Sequence, residues 1–274
     1  MINHNEHIKN AQGLQRRYKD VLDFDLKDIA NLGNEFYEDY QMWLTFTNNP
    51  DLYDYYLAYN LLHPIELFEK LKCTNEEYFN WFKNRMVKSK NNVSFFGDKF
   101  ELFIAYTLIQ KNIVFTRPEP PDFEIENFKD KLYIECTTSQ FDFSTIPTKN
   151  EIFTKLKKTI ISKLSKPYTN NNTILFVDIT NLMFHSLNLK DELTDEQIQN
   201  TLVEITRRQG KKIVFGAIAF FRFYVSQNDI DEKTYNWNPF ILLNNNPSQS
   251  IKEFFDFSLV DMPQEPKWHY PKFQ

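Results

Sequence analysis

The chain has 274 residues, 42% of them hydrophobic and 16% aromatic, with a formal net charge of −5. That is enough apolar material for one large domain or two smaller ones. The acidic balance excludes a protein that binds nucleic acid through overall positive charge and leaves that work to local patches.

Mean hydropathy is −0.53 and no apolar run approaches membrane-spanning length. The opening MINHNEHIKNAQGLQRRYKD carries no apolar core after its charges, so it does not read as a secretory signal. The two cysteines, Cys73 and Cys136, fit a reduced, cytoplasmic protein. Cys136 alternates with apolar neighbours and reads as a buried structural thiol, since no histidine stands near it to act as a base.

In chain order, the first ninety residues read as helical, with helix-like spacing near 9–21, 24–47, 51–62, 64–72 and 75–88. Pro50 and Pro64 punctuate them, and Asn75 with Glu77 beyond it suits a helix start. Tyr37, Tyr40, Trp43, Tyr53, Tyr55 and Tyr56 could stack on bases or fill a bundle core, and the lack of basic interleaving favours the core. A composition shift at Lys88 to Asn92 suggests a boundary, giving a helical region over 1–90, a second domain over 91–225 and a C-terminal extension over 226–274.

The next stretch, GDKFELFIAYTLIQKN, places Phe100, Phe103, Ile104 and Leu108 on one helical face with Glu101 at its rim. Two runs of period two follow. Phe123 and Ile125 face one way with Asp122 and Glu124 opposite, then Leu132, Ile134 and Cys136 face one way with Glu135 and Thr137 opposite. Closing this hairpin about Asn127 to Asp130 sets Asp122 against Glu135, with Cβ atoms ~5 Å apart. Two carboxylates that close repel, so one takes a proton or a cation sits between them, and a hard divalent ion such as Mg2+ or Mn2+ suits oxygen ligands. Glu101 is the candidate third ligand.

The helix EIFTKLKKTIISKLSKP follows, with Ile152, Phe153, Leu156, Ile160 and Leu164 along an apolar arc of ~120°. Lys163 projects within that arc, whereas Lys155, Lys158 and Lys166 fall outside it. A lysine on a core-facing stripe needs an acidic partner or must lose its charge. Glu135 is the nominated partner, and snorkelling of Lys163 to solvent is the alternative. TILFVDITN then reads as a buried strand, His185 as a loop residue, Thr194 with Gln197 as the capping box of a helix ending at Gly210, and KIVFGAIAFFRFYV as the most apolar strand. The last fifty residues read as loop with one short helix around Ile251 to Phe257. The order helix, hairpin, helix, strand, helix, strand predicts an α/β sandwich with a mixed sheet and helices on both faces.

The residues from Gly97 to roughly Phe221 resemble the PD-(D/E)XK, or restriction-endonuclease-like, nucleases. In that family a helix glutamate precedes a strand bearing a Pro-Asp pair, and a second strand carries an acid, a spacer and a lysine. Glu101, the pair Pro121 and Asp122, and Glu135 with spacer Cys136 match that pattern. Thr137 stands where the lysine belongs, and some members supply the cation from a neighbouring helix, for which Lys163 is the candidate here. The resemblance implies a metal-dependent nuclease with Asp122, Glu135 and Glu101 around Mg2+ or Mn2+, and Lys163 beside them. It implies a nucleic-acid partner, DNA before RNA, and allows a homodimer. Lys88, Lys90, the lysines of the 151–166 helix, and Arg207, Arg208, Lys211 and Lys212 are the local basic patches. For the last cluster, capping of its helix end beside Gly210 is the preferred role. The alternative is a nuclease-fold protein without turnover that acts as a binding module, motivated by Thr137 and the acidic charge.

Overall fold

The computed structural model describes residues 4–29, 58–90, 94–141, 145–188, 193–209, 213–229, 232–244, 246–259 and 268–269. The chain forms two compact units, Met1–Thr107 with Tyr224–Asn236 and Leu108–Phe223 with Trp237–Gln274.

The first unit is helical apart from Tyr224–Asn236, whose described residues belong to the two long strands given below. α1 (His4–Leu22) buries Ala11, Leu14, Tyr18 and Leu22, three or four residues apart along one face. A π-helical segment, Ala58–Leu62, runs into α2 (His63–Thr74). Pro64 lies in the first turn of α2, where a missing N–H costs nothing. Tyr18 donates its hydroxyl to the Leu61 carbonyl at 2.9 Å, and Arg17 grips Glu69 with two nitrogens, joining α1 to this segment. α3 (Glu76–Ser89) starts where expected, its cap Asn75 accepting from the Tyr78 amide at 3.0 Å. α4 (Ser94–Gln110) reaches the unit boundary. Its burial is not confined to the expected face, because Leu102, Ala105, Asp98, Lys99 and Glu101 are buried as well. Of the expected helix over 24–47, residues 24–29 are described and form only the 3-10 turn Leu26–Asp28; of the helix over 51–62, residues 58–62 are the π-helical segment, and residues 30–57, with the aromatic residues from Tyr37 to Tyr56, lie outside the described residues.

The second unit is a mixed sheet whose strands lie side by side in chain order: β1 (Phe115–Thr116), β2 (Phe123–Ile125), β3 (Leu132–Thr138), β4 (Thr173–Asp178), β5 (Ala217–Asp229), β6 (Glu232–Leu243) and β7 (Trp268–His269). β1, β2 and β3 are antiparallel, whereas β3, β4 and β5 are parallel. The parallel steps need crossovers. α5 (Lys149–Leu164) makes the first, and α6 (Thr180–Asn188) with α7 (Asp195–Gln209) makes the second.

α5 opens with a reciprocal capping box between Thr148 and Glu151, and α7 with the expected pair Thr194 and Gln197. Ile152, Leu156, Ile160 and Leu164 of α5 pack with Leu175 and Val177 of β4, Ile198 and Leu202 of α7, and Ile218 and Phe220 of β5. The opposite face carries Phe176, Phe221 and Phe223, which meet Trp237 and the rings of Phe254 and Phe255 on α8 (Gln249–Leu259). All six residues of β4 are buried, as a parallel strand covered on both faces requires. The α/β class with a mixed sheet and helices on both faces is therefore what the chain forms. Gly216, at the entry to β5, is forced by contact: a Cβ there would stand 1.9 Å from Ile251 Cδ1 and 2.4 Å from the Asn171 carbonyl oxygen.

Two expectations are corrected. β6 and its neighbour β7 arise in the stretch read as loop, because Asn236, Asn238 and Pro239 break the alternation before Phe240, Ile241, Leu242 and Leu243, all buried, complete the strand. His185 is not a loop residue. It lies buried in α6, its ring edge-on to Phe141 and Phe184.

Candidate functional site

Asp122 directly precedes β2. The register Phe123↔Ile134, Glu124↔Tyr133 and Ile125↔Leu132, carried one residue back, sets Asp122 opposite Glu135. Asp122 Oδ2 accepts from the Cys136 amide at 2.6 Å, which fixes one oxygen of that carboxylate against β3. Cys136 itself is buried among apolar neighbours, as the alternation implied.

Glu135 pairs in parallel register with Leu175, and Thr137 with Val177, so both share the sheet face that α5 covers. Lys163, in the last turn of α5, stands between the core residues Ile160 and Leu164. It donates from Nζ to Glu135 Oε2 at 3.1 Å, with Glu135 only 2% exposed and Lys163 29%. The lysine on the apolar arc is thus partnered, and the snorkelling alternative is set aside. Thr137 sits half-buried two residues along β3.

Lys163 bonds Glu135 and also feels the charge of Asp122. Burial raises the Glu135 carboxyl above its ordinary value, and the charge of Asp122 adds to that, against the pull of Lys163. Burial also opposes charge on Lys163, but Asp122 and Glu135 together outweigh it and hold the ammonium above its ordinary value. Tyr168, in the turn after α5, faces the same carboxylate; burial first and the Glu135 charge second push its hydroxyl up to about 12. Sequence reasoning missed Tyr168, whose only signal was its place five residues after Lys163 beyond a proline. Among the described residues Glu135 Oε1 is buried without a hydrogen bond of ordinary geometry, although the Tyr168 hydroxyl acts on the same carboxylate as a donor. An oxygen so placed is costly unless something else takes it up.

Glu101 is held differently. Arg85 of α3 spans both of its oxygens at 3.0 Å and also grips the buried Asp98, which takes a further hydrogen bond from Ser89. Arg85 escaped notice because nothing in its spacing marks a partner one helix away. Among the described residues, no three His, Cys, Asp or Glu side chains gather in a group that could hold a metal ion. Asp122 and Glu135 are a pair of carboxylates short of such a group; Mg2+ is an ion that one or two carboxylates and several waters can hold.

The other basic candidates are partly committed. Lys90 pairs with Asp28 at 2.9 Å, Lys157 pairs with Glu204, and Lys155 lies over the Phe141 ring. Lys88, Lys158, Lys166 and Arg207 are exposed, while Lys211 and Lys212 lie outside the described residues. No described helix is long and apolar enough to cross a membrane.

Comparison with protein-family models, with curated proteins and with solved structures yields no match. The class stated here, an α/β protein whose mixed sheet and covering helix bring Asp122, Glu135 and Lys163 together, rests on the chain's own geometry.

Proposed function

We propose that the protein is a metal-dependent nuclease of the PD-(D/E)XK type that hydrolyses phosphodiester bonds in nucleic acid, DNA in preference to RNA. The observation that carries this reading is the contact of Lys163 with Glu135: a cation from the next helix stands beside the acid pair although Thr137 replaces the strand lysine. Three chemically matched residues, drawn from the edge of β2, from β3 and from α5, converge on one face of the sheet.

Asp122 and Glu135 would hold Mg2+ or Mn2+, and the buried Glu135 Oε1, without a hydrogen bond of ordinary geometry, suits that task. A bound divalent ion supplies an acidified water and neutralises charge on a phosphoryl oxygen. Lys163 contributes a positive charge beside the acid pair, within reach of phosphate oxygens on which charge builds during attack. Glu101 serves the fold of its own unit through Arg85 and is not needed in the ligand pair.

The test is incubation of the purified chain with supercoiled plasmid, single-stranded DNA and RNA in Mn2+, alongside Asp122→Ala. A second reading, a nuclease-fold binding module without turnover, is favoured by Thr137 in the place of the strand lysine and by the net charge of −5. It predicts nucleic-acid or protein binding with no product under any metal condition.

A further inference from the structure

We propose that Lys163 is a resident cation: its ammonium neutralises the Glu135 carboxylate that a divalent ion engages on loading, and loading releases the ammonium toward a substrate phosphate. This rests on the metal-dependent reading above and specifies how its site is kept ready.

Glu135 is almost wholly buried, and a carboxylate there needs a positive neighbour. Lys163 supplies it through Oε2, and among the described residues only the Tyr168 hydroxyl also acts on this carboxylate, leaving Oε1 buried without a hydrogen bond of ordinary geometry. The acid is thus half satisfied, which suits a holding arrangement better than a finished ion pair. Asp122 is similarly half committed: its Oδ2 is tied to the Cys136 amide. With both acids ionised and Lys163 protonated, the cluster carries one net negative charge. A divalent ion turns that into one net positive charge, so the ammonium becomes the surplus cation. The long lysine stem, 29% exposed, can swing outward from the helix end where it sits. One phosphodiester charge then restores neutrality, which matches a nucleic-acid backbone as the ligand that receives the freed ammonium.

The test is Mn2+ binding by titration calorimetry to the full chain and to Lys163→Met. With wild type, the reactivity of Lys163 toward an amine-directed reagent is read by mass spectrometry with and without Mn2+. Removing a competing cation tightens Mn2+ binding by about tenfold in the variant, a gain of ~1.4 kcal/mol, and Mn2+ makes wild-type Lys163 several-fold more reactive. Equal or weaker Mn2+ binding by the variant overturns the exchange while leaving the metal-dependent reading intact. Absence of Mn2+ binding by both proteins overturns the exchange and that reading together. Should the variant fail to fold, the wild-type labelling decides alone: unchanged Lys163 reactivity on Mn2+ addition overturns the proposal.

Discussion

Lys163 reaches back 28 residues from the last turn of α5 to place its ammonium 3.1 Å from Glu135 on β3. If it replaces the lysine missing at position 137, Lys163→Ala costs ~100-fold or more in cleavage, as removal of a preorganised charge from a transition state does. It also costs stability, about 2 kcal/mol, less than the ~3–5 kcal/mol of a fully buried pair because Lys163 keeps some solvent. Lys158→Ala, on the exposed side of the same helix, is the control and changes neither quantity appreciably. Small and equal losses in both variants remove Lys163 from the machinery.

Divalent ions should stabilise the native state in proportion to their binding, since the unfolded chain has no paired site. Mn2+ therefore raises the melting temperature of wild type, and Asp122→Ala abolishes the rise. An equal rise in the variant would falsify the assignment of Asp122.

Glu135 also sets a pH dependence. Its ordinary value is 4.5, and in the folded state burial and Asp122 raise it. As pH climbs from 4.5 through the folded value, the unfolded chain has already released its proton, so stability falls and then levels off. Lys163 acts at the other end: its contribution is present below 10.5 and is lost as pH climbs through its own raised value. Melting curves of wild type and Glu135→Gln measured from pH 4 upward should show the difference moving in favour of the variant as pH rises above ~4.5. A difference that stays constant or moves the other way contradicts a raised Glu135.

Arg85 joins Asp98 and Glu101, both buried, so its loss strands two carboxylates. Arg85→Met is expected to cost ~3–5 kcal/mol, and Glu101→Gln ~1–3 kcal/mol from the loss of charge-assisted hydrogen bonds. The Mn2+ shift in melting temperature survives Glu101→Gln. Its disappearance in a variant that stays folded would restore Glu101 as a ligand.

What could be read from the chain was local periodicity. Alternation placed Asp122 and Glu135 on one face and Cys136 on the other, and the register bears this out. The α5 arc put Lys163 on the covered side because residues 160, 163 and 164 recur at helical spacing. Caps at Asn75 and Thr194 followed from side-chain chemistry within four residues. The partnership of Arg85 with Glu101 was not legible, since it is a tertiary contact between helices with no shared period. β6 escaped because Asn238 and Pro239 interrupt its alternation, and its buried run takes its meaning from the strands beside it. His185 was misplaced because its helix is set by Asp178 accepting from the Thr180 amide and by packing against Phe141 and Phe184, contacts that no local period shows.

The most direct test of the account is cleavage of nucleic acid by wild type, Asp122→Ala and Glu135→Gln in Mn2+, Mg2+ and chelator, followed on gels over time. Metal-dependent hydrolysis at the Asp122 and Glu135 pair gives product from wild type with either metal, none with chelator, and rates at least ~100-fold lower in both variants. No product from wild type on plasmid, single-stranded DNA or RNA, or equal rates in all three proteins, would contradict it.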